Sequence, residues 1–301
     1  MKRLKNKSVF ISYILLALGA VCLISGLLLG GKADYRISYT KQKVYVGQQN
    51  FISGKVSLDN FPFAEIHLDN CKLTIKSGEN PCIEYNLPED YKFTHKITDR
   101  KLELSAKQVT MLSFDLSVFS KSPSYIVLTV PEKDFSRLTV KSENGDIIIR
   151  DLKTTSLSAK TDNGNISCNN IQSYDLNTET ENGDITIDNT QINRKTVFQT
   201  GNGNIESSSS SFMNVNGQNE NGNISLKDCS LENAVITCKN GDINVTLSDN
   251  ISNHSFELSS ELGDVTFNHK HYGSQVNIPA DYTYSNSVIK IQTSLGNINV
   301  K

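Results

Sequence analysis

From about residue 136 to the end, apolar and polar positions alternate in short runs that recur around one mark, a Gly followed by Asp or Asn and then Ile or Val. The mark stands at Gly145, Gly164, Gly183, Gly203, Gly222, Gly241, Gly263 and Gly296, with spacings of 19, 19, 20, 19, 19, 22 and 33. Two residues after it comes a column of Ile147, Ile166, Ile185, Ile205, Ile224, Ile243, Val265 and Ile298. Four after it, and five and seven before it, mostly apolar columns recur, and the positions between them are Ser, Thr, Lys, Asn and Asp. Positions two apart share one face of a strand, so each repeat reads as two short strands around a turn. An apolar residue seven after the glycine (Leu152, Ile171, Cys229) breaks the alternation, as a corner into a third short side does.

Asn precedes six of the glycines, and Asn-Gly readily supplies the positive φ angles of a tight reversal. Gly263 and Gly296 follow Leu, so the last two coils are expected to turn differently. Asn-Gly between alternating strands also signals a hairpin, and a meander of hairpins is the competing architecture. Only the near-constant period separates them, and it favours the solenoid, because parallel coils keep their columns in register only when coil length is steady, whereas a meander tolerates drift. The expected fold is all-β: a parallel, β-helix-like solenoid of about eight 19-residue coils, in which units too small to bury their own apolar faces stack on one another.

The front of the chain is different. Residues 9–31 hold no charged side chain, which is long enough to span a bilayer at about 20 residues, and Lys2, Arg3, Lys5 and Lys7 precede them. This predicts a basic cytoplasmic tail (1–8), one transmembrane helix (9–31) and export of everything after it. A cleaved signal peptide ending near Gly31-Lys32-Ala33 is the alternative, although its apolar region is usually 7–15 residues. Cys22 is not a convincing lipidation site, because Val21 stands where a small residue is needed. Residues 32–60 read as a spacer or a loose strand pair, and 61–301 as the β-repeat domain, whose first strands (64–68, 71–75, 101–104, 125–130) start or cap the stack.

Residues Phe61 to Lys301, with "AEIHLDNCKLTIKSG", then "YIVLTVPEKDFSRLTVKSENGDIIIRDL", then repeated T-x-N-G-[DN]-I, resemble the bacterial putative-adhesin β-strand repeat family, a domain of unknown function often preceded by a membrane anchor. The resemblance implies an extracytoplasmic β-solenoid acting in adhesion or envelope stress, with no catalytic residues to carry over. Its motif residues here are structural.

Net charge is −2, and the four leading basic residues leave the rest of the chain about −6, so a nucleic-acid partner is not expected. The Asp and Asn after each glycine would form a row along one edge. The nine-residue calcium-solenoid pattern is absent, and no His, Arg or aromatic cluster accompanies the Asp row as a polysaccharide-cleaving site would need. No catalytic residue, cofactor or metal is therefore expected. His269-x-His271 has the spacing of two ligands on one strand face but lacks an obvious third beyond Asp281. The same stretch, with Tyr272, Tyr282 and Tyr284, forms the long insertion before the final coil, and reads equally as an interaction loop or as a cap. Cys71 and Cys82, across a turn, are the one plausible disulfide. The expected function is a non-enzymatic, membrane-anchored adhesion or cell-envelope interaction module, whose partner is a wall polymer, envelope component or surface protein. An accessory or sensory scaffold for a membrane protein is the first alternative, and a polysaccharide-active enzyme the second.

Overall fold

The structure is a computed structural model. It describes residues 50–109, 124–280 and 287–301, the backbone of strands Arg36–Thr40, Lys43–Gly47 and Leu112–Asp115, and five helical positions near the N-terminus, Leu18, Gly19, Val21, Cys22 and Ser25. The expected membrane segment 9–31 otherwise lies outside the described residues. Among those described, no helix is long and apolar enough to cross a membrane.

Two units are present. The smaller, residues 1–50 and 109–122, contains a three-stranded antiparallel sheet. Arg36–Thr40 lies at its centre, with Tyr39 opposite both Val44 and Leu112. The larger, residues 51–108 and 123–301, is a solenoid of parallel coils. Its division from the smaller unit falls at residue 50, not 60, because Phe51–Ser57 pairs antiparallel with Cys82–Pro88 inside the larger unit.

Within the solenoid the columns predicted by the period are aligned as parallel registers. Leu138, Leu157, Leu176, Thr196, Val215 and Ala234 follow one another from coil to coil, as do Ile147, Ile166, Ile185, Ile205, Ile224 and Ile243. These side chains are buried in one continuous core. The 20-residue spacing is absorbed as an irregularity between Ile192 and Thr196, which leaves the columns on either side in register. The third side is also present. Asp151, Asn170, Asn189, Ser209 and Asp228, six after each glycine, take left-handed φ values between 48° and 55°, and the residue after each (Leu152, Ile171, Thr190, Ser210, Cys229) turns inward. Asp, Asn and Ser occupy this corner because short polar side chains tolerate that backbone region best after Gly.

Chain order and stacking order differ at both ends. Phe63–Gly78 stacks under the coil 137–150, yet it has Lys101–Gln108 and Tyr125–Pro131 on its other side, so the later segment forms the outermost coil. At the far end Val288–Leu295 and Ile298–Val300 lie between the coil of Ala234–Leu247 and the coil of Ser255–Phe267. The last coil in sequence is therefore the penultimate one in space. This explains the spacings of 22 and 33, the second of which includes the chain's excursion out to the end and back. Each end is closed by antiparallel strands: Tyr91–Thr98 covers Lys101–Gln108, Cys82–Pro88 covers Tyr125–Pro131, and Gln275–Ile278 and Lys270–His271 cover the outermost C-terminal coil. The caps cover the apolar ends of the stack, so the parallel coils themselves present no open edge at these strands.

The cysteines of the described residues are free. For Cys71 and Cys82 the register gives the reason: Cys82 lies opposite Thr129, which lies opposite Lys76. Cys82 is therefore offset from Cys71 by five residues along the strand and by two strands across, at least about 16 Å, beyond the roughly 7 Å that a disulfide permits. Cys168 is fully enclosed, and burial pushes its thiol up to about 12. The folded state holds it protonated where the unfolded chain ionises from about pH 9. Its contribution to stability is constant below that pH and is lost as pH rises from about 9 toward 12. Cys168→Val should therefore flatten the alkaline loss of stability, by about 1–2 kcal/mol between pH 8 and about pH 10.5 in urea titrations. Equal losses in variant and parent would refute this.

Candidate functional site

Each letter of the T-x-N-G-[DN]-I repeat performs a separate physical task at the glycine corner. Seven of the eight glycines have φ between +131° and +159°, Gly296 among them; Gly263 alone does not. The asparagines before them are absent from the positive-φ positions, so they do not make the reversal. What demands glycine is closeness. A Cβ at any of the eight would lie 2.0–2.4 Å from a carbonyl oxygen of the coil beneath. Cys71 occupies the equivalent place at the start of the column, and Gly296 sits between Gly241 and Gly263.

The Asn before the glycine builds a side-chain ladder. Asn144 Nδ2 donates to Asn70 Oδ1 at 2.6 Å, and Asn163, Asn182, Asn202, Asn221 and Asn240 each donate to the preceding Asn at 2.8–3.0 Å. The residue after the glycine caps the neighbouring coil's backbone. Asp146 Oδ1 accepts from the Asn165 N–H at 3.0 Å, and the pattern continues through Asn165, Asp184, Asn204, Asn223, Asp242 and Asn297 to the Asp264 N–H. Asp and Asn alternate freely in this row because an Oδ1 acceptor is all it needs. Three residues before the glycine, a buried group reaches the inward glycine carbonyl of the coil beneath. Thr161, Thr180, Thr200 and Thr293 donate through Oγ1, Asn219 through Nδ2, Ser260 through Oγ and Cys238 through Sγ. Without these donors the carbonyls would be buried unpaired, at about 1–3 kcal/mol each.

The expected interaction loop is divided by the structure. Asn268 and His269 take left-handed φ of 46° and 64°, which makes a two-residue hairpin turn between Phe267 and Lys270. His269 is thus a turn residue while His271 lies on a strand, so the two do not present one face as the His-x-His spacing suggests. His271 Nε2 is 3.8 Å from Asp264 Oδ1, and Lys270 Nζ lies 4.9 Å from the Tyr272 ring centre. Tyr282 and Tyr284 lie outside the described residues. Among the described residues no group of three or more His, Cys, Asp or Glu is placed to hold a metal ion.

A surface that the period did not reveal lies on the broad outer face of the coils. An open depression of about 660 Å³ is lined by Glu181, Gln199, Gln218, Glu220 and Lys239 around Gly201. Gly201 leaves a notch, and its backbone is so close that an added Cβ would lie 2.7 Å from the Glu181 carbonyl oxygen. Glu220 is paired with Lys239 at 2.9 Å. Similar pairs join neighbouring coils on the same face, Lys160 with Glu179 and Arg194 with Asp175, whose carboxyl the guanidinium holds below its ordinary value. Such exposed pairs contribute about 0–1 kcal/mol each, so their effect is to fix the charge pattern of the face more than to stabilise the fold. The sequence signal for the notch was the second glycine in Thr200-Gly201-Asn202-Gly203.

The sequence matches the Toastrack DUF4097 family over residues 52–301, a span that includes the whole glycine column from Gly145 to Gly296. The chain belongs to that family. No curated protein sequence matches it. This Toastrack chain is similar in fold to a putative lipid binding protein from Parabacteroides distasonis, at 13% identity and a TM-score of 0.51, over 84% of this chain and 97% of that one. It also matches a putative adhesin from the same organism at 10% identity and a TM-score of 0.45, over 85% of this chain and 98% of that one. A putative cell adhesion protein from Clostridium sporogenes matches at 18% identity and a TM-score of 0.32, over 84% and 99%. At these identities the likeness concerns fold alone.

Two sets of substitutions separate scaffold from chemistry at the corner. Gly183→Ala should cost about 1–3 kcal/mol from backbone conformation alone, and more from the clash with the Gly164 carbonyl. Gly217→Ala should be neutral or stabilising by about 0.4–1 kcal/mol, because its Cβ would meet only Ile236 at 3.6 Å or beyond. Thermal unfolding of the two variants checks both. Asp184→Asn should leave stability within about 0.5 kcal/mol, whereas Asp184→Ala, which removes the Asn204 N–H acceptor at an exposed corner, should cost about 0.5–1.5 kcal/mol. A large effect of Asp184→Asn would show that the row's charge matters.

Proposed function

We infer that this Toastrack protein is a non-enzymatic, membrane-anchored module of the cell envelope that acts by adhesion or interaction through the outer faces of its solenoid. The observation that carries this reading is the use of the repeated polar residues. The Thr, Asn and Asp of the corner spend their hydrogen-bonding groups on neighbouring coils, which leaves broad polar outer faces and an open notch at Gly201 as the surfaces available to a partner. Amide and carboxylate groups at that notch suit a polar polymer or a polar protein face better than an enclosed small molecule. The uncharged segment 9–31 behind four basic residues supports a single membrane pass with the N-terminus in the cytoplasm and residues 32–301 outside.

Topology and binding are tested separately. Protease added to intact protoplasts should remove the solenoid while alkaline extraction leaves the N-terminal segment in the membrane; a protected solenoid would refute the orientation. Full-length protein in detergent should be retained on immobilised cell-wall polymer or envelope extract. Gln199→Ala with Gln218→Ala should lower retention several-fold without moving the unfolding midpoint. Unchanged retention would remove the notch from the reading, and turnover of a wall polysaccharide would overturn the non-enzymatic function.

A further inference from the structure

The displaced final coil forms a built receptor and ligand within one chain. Its slot lies between two coils that are consecutive in sequence, and its recognition chemistry is complete on both walls. Gly296 fits between Gly241 and Gly263, with added Cβ atoms at Gly296 and Gly263 each falling 2.0–2.1 Å from the carbonyl beneath, so no larger residue enters at that register. Asn297 donates its N–H to Asp242 Oδ1 at 2.7 Å and accepts from the Asp264 N–H at 3.0 Å. Thr293 Oγ1 donates to the Gly241 carbonyl at 3.0 Å, and Ser260 Oγ to the Gly296 carbonyl at 2.7 Å. Ile289, Ile291, Ile298 and Val300 are wholly buried between the walls.

The entrance to the slot is fastened differently, by polar groups. His254, 5% exposed, contacts Ser287 Oγ through Nδ1 at 2.6 Å and Asp249 Oδ2 through Nε2 at 2.9 Å. Ser287 Oγ also donates to the Glu232 carbonyl, and Val288 N–H to Asn233 Oδ1 at 3.2 Å. One buried imidazole thus ties together the turn at 249–254, the wall at 232–233 and the start of the last coil.

We propose that the slot between the coils of Gly241 and Gly263 is a binding site for a C-terminal coil, filled here by the chain's own residues 288–300 and open to the same coil of a second copy, with the His254 clasp controlling exchange. Swapping identical coils keeps every contact of the slot and joins two copies at no loss of buried surface. The site selects its occupant by sequence: a glycine at the close approach, an Asn or Asp after it, and a side-chain donor three residues before it.

The test uses the full-length protein in detergent, with a protease recognition sequence placed between Ala280 and Ser287. After cleavage, the 287–301 fragment should co-elute with the rest of the chain on gel filtration. It should then exchange for a fluorescent synthetic peptide of the same sequence while circular dichroism stays native. A peptide carrying Gly296→Val should not enter. His254→Ala in the protein should speed exchange at least tenfold, and two differently tagged uncut copies, incubated together at high concentration, should co-purify. The proposal falls if the fragment exchanges only at the denaturant concentration that unfolds the whole solenoid, if the valine peptide enters equally well, or if tagged copies never pair while the cleaved protein exchanges freely.

Discussion

The solenoid depends on one close approach. At the glycine corner the backbones of successive coils come so near that a single methyl group would lie about 2 Å from the carbonyl beneath, and this holds at every glycine of the column. Close stacking there keeps backbone bonds on both sides of the corner, Gly145 N–H donating to the Asn163 carbonyl and Ile147 N–H to that of Asn165, while the groups between them are satisfied by side chains. It also turns the glycine carbonyls into the interior, where they need donors. The buried hydroxyl column answers that need, and the Asn ladder and the Oδ1 row hold the outside of the same corner. The four recurring letters of each repeat are therefore parts of one hydrogen-bonded device that locks coil to coil.

A stack of this kind transmits its register from neighbour to neighbour, which makes its ends the weak points. The structure strengthens both in the same way. A later segment forms the outermost coil, an antiparallel strap closes it, and a segment nearer the chain terminus is held inside the stack. Terminal segments that would otherwise fray are thus flanked on both sides. The Asn ladder ends where this rearrangement begins: Leu295 and Leu262 continue the row beyond Asn240, and both are exposed.

With the repeated polar groups committed to the corner, the features left for contact are those that break the repeat. The Gly201 notch, the bulge carrying Arg194 and the C-terminal hairpin at Asn268–His269 all arise where the pattern departs from itself. Departures are where a repeat protein carries individuality, because the regular positions are constrained by every neighbouring coil.

The period, the strand columns, the inward and outward faces and the third side were legible in the sequence, because each is a local alternation repeated often enough to average out exceptions. The glycine positions and their positive φ were legible too, but the second reason for glycine was not. A positive φ is a property of one residue, whereas the close approach exists only between residues of neighbouring coils. The same holds for the Asn ladder, the Oδ1 row and the capped carbonyls, all of which are contacts between coils. His254, Ser287 and Asp249 carry no motif and meet only because the last coil folds back. The swapped order of the end coils could not be read from spacing, since a 33-residue gap fits an added loop as well as an excursion. Sequence by itself determined the unit and its faces; tertiary structure decided the order in which units stack, because pairing energy is set by which edges are free when each coil arrives and not by chain order.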